Sequence, residues 1–322
     1  MVESLTKRVV DEPALDAMLR AAIGVGCRIE GELVDGWFNT AYRVRLSDGR
    51  AAIAKIAPPP EVPVLRYERG IMATEALVYR LAGGRDGIPL PELLYADDEF
   101  MVLSVLDGEP WDKATLPAEA GPVLLRQLGA ITARLHEIVA PDGLFGYPAP
   151  QAGLRAPTWR AAFTAMVAAT VDDARRWNTP FGVPGNEVLD LVAGHAAVLD
   201  EVRTPRLVHF DLWPGNVFVA ADGPRVTGLI DHERAFWGDP VAELVSLEFC
   251  GSIEPDGPLL TGYREAGGHL DGSVTARLAL YRLYLDLILV TECGPRGYDE
   301  ARAAWTRDRV AASVAALTAA SR

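Results

Sequence analysis

The sequence predicts an α+β protein of two lobes: a small N-terminal lobe with a five-stranded antiparallel sheet plus one helix, and a larger, mainly helical C-terminal lobe. Three observations predict it. Short runs of alternating polar and apolar residues dominate the first hundred residues. A turn-forming Asp-Gly-Glu-Pro cluster follows at residues 107–110. Beyond it, apolar residues recur at helical spacing, so we predict the lobes at residues 1–106 and 107–322.

The small lobe is predicted to begin with a helix over residues 11–21, in which Asp11 suits the N-cap and Pro13 the first turn. The five strands are predicted at residues 27–33, 41–46, 51–56, 91–95 and 100–105. A second helix is predicted from residue 64 to residue 82, where a Gly-Gly pair ends it.

The large lobe is predicted to be mainly helical. Apolar residues at positions 124, 128, 131 and 135 share one face of a helix. Further helices are predicted over residues 158–177, 186–202 and 240–249, and from residues 258, 273 and 299 onward. A hydrophobic content of 49% is ample for two cores.

Composition excludes several classes of function. A net charge of −13 disfavours binding to nucleic acid or to an anionic membrane, because Lys and Arg dominate recognition of phosphates. The chain starts without an apolar stretch, and its most apolar run is broken by Arg282 and Asp286. Three widely spaced cysteines argue against a disulfide framework and a zinc site. We therefore expect a soluble, cytoplasmic protein, either a monomer or a homodimer.

Two short apolar strands in the large lobe each lead to an aspartate: residues 206–208 precede Asp211, and residues 226–230 precede Asp231. A hairpin after Asn216 returns it to the side of Asp231. In phosphoryl transfer a protein must position the attacking hydroxyl and neutralise charge with Mg²⁺, for which a carboxylate and an amide oxygen are sufficient protein ligands. We therefore predict Asp231 and Asn216 as metal ligands and Asp211 as the group that orients the hydroxyl.

The alternative for these three residues is ordinary loop capping, which Asp and Asn perform in many proteins. The complete spacing favours the metal and nucleotide site, because Asn216 follows Asp211 by five residues and Asp231 follows a further apolar strand.

The same segment resembles a known family. Residues 209–216 and Asp231 follow the pattern H-G-D-x-x-x-x-N, apolar strand, I-D of the aminoglycoside phosphotransferase-like kinases, and residues 238–240 resemble their G-D-P segment. That family includes choline, fructosamine and homoserine kinase relatives and shares the protein-kinase fold. The resemblance therefore implies a bilobal, protein-kinase-like architecture and a small-molecule kinase.

The chain departs from the family pattern at three positions. Phe210 replaces the usual glycine, His232 stands where Trp or Phe is more usual, and Glu243 stands where relatives often carry aspartate. In the family pattern the histidine that corresponds to His209 organises the loop, and we favour that role over a role as base. Phe210 and His232 line the predicted site, so they weaken any inference about the substrate from close relatives.

A cation for the nucleotide phosphates is predicted at Lys55, the lysine of the small lobe's sheet. Alternation places it on the same face as apolar residues, where a free ammonium is disfavoured, although a solvated strand lysine is the alternative. Glu68 and Glu75 share the helix face that could pair with it, and spacing alone does not separate them. Resemblance to the family selects Glu75.

The loop over residues 34–40 is predicted to cover the phosphates, with backbone amides of Asn39 and Thr40 as contacts; a plain hairpin loop is the alternative. It carries a single glycine, unlike the G-x-G-x-x-G loop of protein kinases. The nucleotide base is expected against residues 103–106, including Ser104 and Leu106. The donor is ATP or GTP, with Mg²⁺ as cofactor.

The predicted function is O-phosphorylation of a hydroxyl on a small molecule, with an antibiotic favoured as acceptor. A metabolic kinase for a sugar or an amino alcohol is the alternative, and a nucleotide-binding pseudokinase is a third possibility. A protein kinase is disfavoured, since no arginine precedes Asp211 and no A-P-E segment follows Asp231. The acceptor is expected to be cationic or sugar-containing. Candidate carboxylates for a cationic acceptor are Asp172, Asp173, Glu265, Asp286 and Glu292.

Overall fold

A computed structural model describes residues 6–34, 36 and 38–320. The first part of the chain folds into one antiparallel sheet of five strands, in the order β1-β2-β3-β5-β4. The strands are β1 (Cys27–Leu33), β2 (Thr40–Leu46), β3 (Ala51–Ile56), β4 (Leu93–Ala96) and β5 (Phe100–Ser104). All five predicted strands are confirmed to within two residues at each end.

Two helices pack beside this sheet, α1 (Glu12–Ile23) and α2 (Ile71–Ala82). Asp11 caps α1 as predicted, since its side chain accepts a hydrogen bond from Ala14 N. The prediction for α2 was wrong at its start. Gly70 adopts φ +73, a left-handed conformation that a helix cannot continue through, so the segment before it forms only a turn of 3₁₀ helix at Arg66–Glu68.

The second part of the chain is mainly helical. Its helices are α3 (Ala120–Leu135), α4 (Trp159–Trp177), α5 (Gly185–His195), α6 (Glu243–Leu247), α7 (Pro258–Glu265), α8 (Val274–Arg296) and α9 (Glu300–Ala320). The helix predicted over 186–202 changes to 3₁₀ geometry after residue 195. The one predicted over 240–249 is α6 flanked by two 3₁₀ turns.

Short strands in the second part place the predicted site residues. They are β6 (Glu109–Pro110), β7 (Phe145–Gly146), β8 (Arg155–Ala156), β9 (Arg206–Val208), β10 (Val217–Val219), β11 (Val226–Leu229) and β12 (Phe236–Gly238). They form two sheets, β11-β10-β6 and β8-β7-β12-β9. Strand β9 leads to Asp211 and β11 leads to Asp231, as the sequence predicted.

The largest core lies among the helices of the second part and is rich in aromatic rings. Trp159 stacks on Phe236 with ring centroids 5.5 Å apart, and Phe163 contacts Tyr281 and Tyr284. The mixed α+β architecture is confirmed, whereas the boundary between residues 106 and 107 stays a prediction. Within the described residues, the helices are too short or too polar to span a membrane.

Candidate active site

Strand β9 leads into a loop whose backbone is hydrogen-bonded to a buried carboxylate. Glu243 at the start of α6 accepts hydrogen bonds from the backbone N–H groups of His209 (2.7 Å) and Phe210 (2.9 Å). The His209 ring bonds to the main-chain oxygen of Ile230 at 3.0 Å and lies within hydrogen-bonding distance of Asp211 N. These contacts tie the end of β9 to the end of β11, which is the loop-organising position expected of His209.

Phe210 adopts φ +63, a left-handed conformation that costs a bulky residue about 1–2 kcal/mol and that glycine tolerates freely. This conformation explains why a glycine is usual here. The Phe210 ring is fully buried, with its centroid 5.0 Å from Phe236 and 5.7 Å from Tyr284. Burial of the ring offsets the backbone strain.

His232 fills the position where the family pattern more often has Trp or Phe. Its ring lies 5.0 Å from Tyr79 in an edge-to-face arrangement and 4.4 Å from the ring of His209. Burial, together with the charges of His209 and Lys55, holds the pKa of His232 well below its ordinary value. The neutral imidazole therefore packs as an aromatic ring.

Lys55 joins the small lobe to the end of β11. Its Nζ donates to Glu75 Oε2 at 2.6 Å and to Asp231 Oδ1 at 2.8 Å. Burial opposes the charge on Lys55, but the two carboxylates raise its pKa well above the ordinary value. Of the two glutamates that spacing left open, Glu75 reaches Lys55, whereas Glu68 pairs with Arg296 at 2.5 Å.

A third carboxylate lies beside the two that Lys55 binds, since Glu75, Asp231 and Glu233 each offer an oxygen within 4.8 Å of the others. Burial and the neighbouring charge of Asp231 raise the pKa of Glu233 well above its ordinary value. Burial also acts to raise the pKa of Asp231, but Lys55 outweighs it and the pKa lies below the ordinary value. This excess of carboxylate oxygens fits a hard divalent cation such as Mg²⁺.

Asp211 is bonded through both carboxylate oxygens. Arg234 Nη1 donates to Asp211 Oδ1 at 3.0 Å, and Asn216 Nδ2 donates to Asp211 Oδ2 at 3.2 Å. Asn216 Nδ2 also donates to the main-chain oxygen of Asp211, so the carbonyl oxygen of Asn216 is the atom available to a metal. Burial raises the pKa of Asp211, and the Arg234 guanidinium opposes that rise.

Sequence reasoning did not single out Glu233 or Arg234. They lie in a 3₁₀ turn, His232–Arg234, whose charged residues read as an exposed loop. Both side chains instead reach into the site, where Glu233 accepts a hydrogen bond from Asn39 and Arg234 donates to Asp211. The signal that could have found them is their position directly after a predicted metal ligand.

The predicted phosphate loop is described only in part, and Asp35 and Trp37 lie outside the described residues. Asn39 is buried, and its Nδ2 donates to Glu233 Oε2 at 3.2 Å, which brings it to the carboxylate cluster. Thr40 is buried elsewhere, where its Oγ1 accepts a hydrogen bond from Arg8 N at 2.9 Å. Their roles at the phosphates stay predictions.

The two residues predicted near the nucleotide base differ in position. Ser104 Oγ accepts a hydrogen bond from Glu92 N at 2.8 Å and serves the β4–β5 hairpin. Leu106 packs on β11 against Gly228, where an added Cβ would lie 2.2 Å from Leu106 Cδ1. Leu106 thus contacts the strand that leads to Asp231, whereas the Ser104 hydroxyl bonds within the β4–β5 hairpin.

All five carboxylates that the sequence offered for a cationic acceptor are paired with arginine. The pairs are Asp172–Arg175 at 3.0 Å, Asp173–Arg176 at 2.8 Å, Asp286–Arg309 at 2.7 Å, Glu292–Arg234 at 2.7 Å and Glu265–Arg126. Arg282 lies four positions before Asp286 in the sequence but pairs with a different carboxylate. Arg282 bonds to Glu248, because that carboxylate lies beside it in the fold.

The arrangement of Lys55, Asp231, Asn216 and Asp211 matches what a small-molecule kinase family requires, and comparison with known proteins decides the family. Residues 31–281 match the model of a group described as the phosphotransferase enzyme family. The chain belongs to the phosphotransferase enzyme family. The resemblance to the aminoglycoside phosphotransferase-like kinases is confirmed.

Curated relatives of this phosphotransferase include two bacterial proteins. The chain is 31% identical over 117 residues to a probable ketoamine kinase of Vibrio cholerae, which is 36% of this chain and 38% of that protein. It is also 31% identical over 104 residues to a probable ketoamine kinase of Vibrio vulnificus, which is 32% of this chain and 33% of that protein. Each alignment thus spans well under half of the relative's length.

Solved structures share the fold of this phosphotransferase along nearly the whole chain. A Thermobifida fusca protein assigned as a fructosamine-3-kinase superposes with a TM-score of 0.68 at 24% identity, covering 94% of this chain and 99% of that one. The aminoglycoside phosphotransferase APH(4)-Ia in complex with AMP-PNP and hygromycin B gives 0.62 at 20% identity, covering 93% and 97%. Macrolide 2'-phosphotransferase MphH from Brachybacterium faecium gives 0.60 at 19%, also covering 93% and 97%. The predicted protein-kinase-like fold is confirmed.

Proposed function

We propose that the protein transfers a phosphoryl group from a nucleoside triphosphate to a hydroxyl of a small molecule. The observation that carries the proposal is the bridge from Lys55 to Glu75 and Asp231, beside the bonded pair of Asp211 and Asn216. Phosphoryl transfer demands few covalent steps from a protein and much positioning of charge, which this set of side chains provides.

In this mechanism Lys55 binds the phosphates of the nucleotide, and Glu75 keeps its ammonium in place. The carboxylate of Asp231 and the amide oxygen of Asn216 would hold Mg²⁺, which supplies positive charge against the phosphates when bound. Asp211 accepts a hydrogen bond from the acceptor hydroxyl, aims its oxygen at the terminal phosphorus and receives the proton as the new O–P bond forms. The bond from that phosphorus to the bridging oxygen breaks in the same step, and the nucleoside diphosphate leaves with the electron pair. The buried Glu243 keeps the loop that carries Asp211 in position.

For the acceptor, a ketoamine, that is, a sugar-derived amine with free hydroxyls, is the first candidate. The printed names of the two Vibrio relatives and of the Thermobifida fusca structure support this class. The pairing of the three buried candidate carboxylates, Asp173, Asp286 and Glu292, with arginine also favours recognition through hydroxyl groups over recognition of a polycation. Such an acceptor is sugar-containing, one of the two chemistries the sequence suggested.

An antibiotic is the second candidate acceptor. Structures named as phosphotransferases for an aminoglycoside and for a macrolide share the fold along nearly the whole chain. Macrolide 2'-phosphotransferase is an informative comparison, because that name specifies an acceptor hydroxyl without requiring several positive charges.

The test is consumption of ATP and of GTP with a panel of acceptors, with phosphorylated product identified by mass spectrometry. The panel contains a glucose-derived ketoamine of lysine, hygromycin B, a macrolide, free hexoses and amino alcohols. We expect turnover with Mg²⁺ and a higher kcat/KM for the ketoamine than for hygromycin B. Tight nucleotide binding without product from any acceptor would favour a pseudokinase instead.

A further inference from the structure

We propose that Arg234 is a positioning residue for phosphoryl transfer, which fixes the orientation of the Asp211 carboxylate and is itself held by Glu292 of helix α8. The inference rests on the proposed function. It adds two residues to the catalytic machinery, neither of which lies in the motif that identifies the family.

The first step is the bond geometry at Asp211. Its Oδ1 accepts from Arg234 at 3.0 Å and its Oδ2 accepts from Asn216 at 3.2 Å, so donors restrain both oxygens of the carboxylate. The exposed fractions of the Arg234 and Asp211 side chains are 13% and 19%. Because water has little access, these two bonds decide which way the carboxylate faces.

The second step is what holds Arg234. Its other terminal nitrogen, Nη2, donates to Glu292 Oε1 at 2.7 Å, so the planar guanidinium spans two carboxylates. Glu292 is buried with an exposed side-chain fraction of 4% and also accepts a hydrogen bond from Tyr67 Oη at 2.5 Å. Glu292 therefore cannot turn away from Arg234 without losing two bonds.

The third step is the connection of Glu292 to residues of the small lobe. Tyr67 belongs to the 3₁₀ turn before α2, and the next residue, Glu68, pairs with Arg296 on α8 at 2.5 Å. The Arg296 guanidinium lies 5.3 Å from the ring centroid of Phe38, which belongs to the predicted phosphate loop. A series of hydrogen bonds thus runs from Asp211 through Arg234 and Glu292 to Tyr67, in the segment between β3 and α2.

The two bonds also distinguish a positioning residue from a phosphate ligand. Both terminal nitrogens of Arg234 are engaged by carboxylates of the protein, so the side chain acts on the reaction through Asp211. Lysine carries the same charge but lacks the planar fork, so Arg234→Lys separates charge from geometry.

The test compares Arg234→Met, Arg234→Lys and Glu292→Gln with wild type, using ATP, Mg²⁺ and the best acceptor of the panel. Misplacement of a catalytic group by about 1 Å costs about 10²-fold, so we expect kcat of Arg234→Met to fall by about that factor. Arg234→Lys and Glu292→Gln should show smaller losses. The Kd for ATP, measured by calorimetry, should stay within about twofold of wild type, since none of these residues binds the nucleotide in this account.

Arg309→Met serves as the matched control, because it breaks the pair between Arg309 of α9 and Asp286 of α8, which includes none of the residues Asp211, Arg234 and Glu292. It should keep the kcat of wild type. Arg234→Met removes the arginine that binds two largely buried carboxylates and is the variant at greatest risk of misfolding. If it does not fold, Arg234→Lys and Glu292→Gln still test the inference. An active wild type with unchanged kcat in both conservative variants would overturn the inference alone. A wild type without turnover on any acceptor would overturn the proposed function, and the inference with it.

Discussion

The carboxylates around Lys55 differ from the carboxylates of helix α8 in how their charge is balanced. Glu75, Asp231 and Glu233 lie close together, the Lys55 ammonium bonds to the first two of them, and burial raises the pKa of Glu233. Asp286 and Glu292 on α8 each have an arginine partner. The first group can take a further cation and the second has little need of one, so the proposed function assigns the recognition of metal and of acceptor to different chemistry.

The largest effect on activity is expected from removing the negative charge of Asp231, in the cluster of three carboxylates beside Lys55. Asp231→Asn should lower kcat by about 10²–10³-fold, the cost of losing one preorganised electrostatic group, and should weaken Mg²⁺-dependent binding of ATP. Turnover and calorimetry with and without Mg²⁺ check this. Asp222→Asn in the exposed β10–β11 turn is the control and should match wild type. Unchanged Mg²⁺ dependence in Asp231→Asn would show that Asp231 does not bind the metal.

The next effect concerns Glu243, which accepts hydrogen bonds from the backbone of the loop that carries Asp211. Glu243→Gln should lower the free energy of unfolding at pH 7 by about 1–3 kcal/mol, since the charged acceptor of two backbone N–H groups is weakened. Burial acts to raise the pKa of Glu243, but His136 and His209 outweigh it and the pKa lies below 4.5.

A carboxylate with a depressed pKa stabilises the fold above its ordinary pKa and loses that contribution as pH falls through the folded value. The difference between wild type and Glu243→Gln should therefore be constant above about pH 5 and shrink below the ordinary value of 4.5. Denaturant titrations across this range measure it. A difference that grows on acidification would contradict the assignment.

Phe210 gives a smaller effect with an unusual sign. In most positions glycine is less stable than alanine, but φ +63 reverses that preference. Phe210→Gly should therefore unfold with a free energy about 1 kcal/mol higher than Phe210→Ala, although both lose the buried ring. Phe163→Gly and Phe163→Ala in helix α4 provide the control pair, in which alanine should be the more stable. The same order in both pairs would contradict the strain at Phe210.

The smallest effect is expected from salt. Paired carboxylates offer little unscreened charge to an acceptor, so raising ionic strength from about 0.05 M to about 0.3 M should change the acceptor KM by less than about twofold. A steep rise in the acceptor KM with salt would show that unpaired carboxylates attract a cationic acceptor. It would contradict the claim that arginine balances the carboxylates available to the acceptor.

Sequence patterns predicted which residues meet around Lys55 and Asp211 better than they predicted how the carboxylates of the large lobe are paired, for a physical reason. Asp211, Asn216 and Asp231 follow short apolar strands at fixed spacing, and Lys55 lies on a strand face whose alternation can be counted. Choosing Glu75 over Glu68 needed the family resemblance, because both lie on one side of the predicted helix.

The rest depended on tertiary contacts that no local pattern encodes. Arg234 meets Glu292 across 58 positions of sequence, and Asp286 meets Arg309 rather than the nearer Arg282. The start of α2 was missed because a left-handed Gly70 cannot be distinguished by composition from a helical glycine. Two-residue strands such as β7 and β8 are too short to carry a period.

The central claim is tested most directly by Asp211→Asn, which keeps the shape of the side chain and removes the group that accepts the proton. With ATP, Mg²⁺ and the ketoamine of the panel, the account predicts a loss of about 10²–10⁴-fold in phosphorylated product per unit time, with Kd for ATP within about twofold of wild type. Near wild-type formation of phosphorylated product by Asp211→Asn would contradict it.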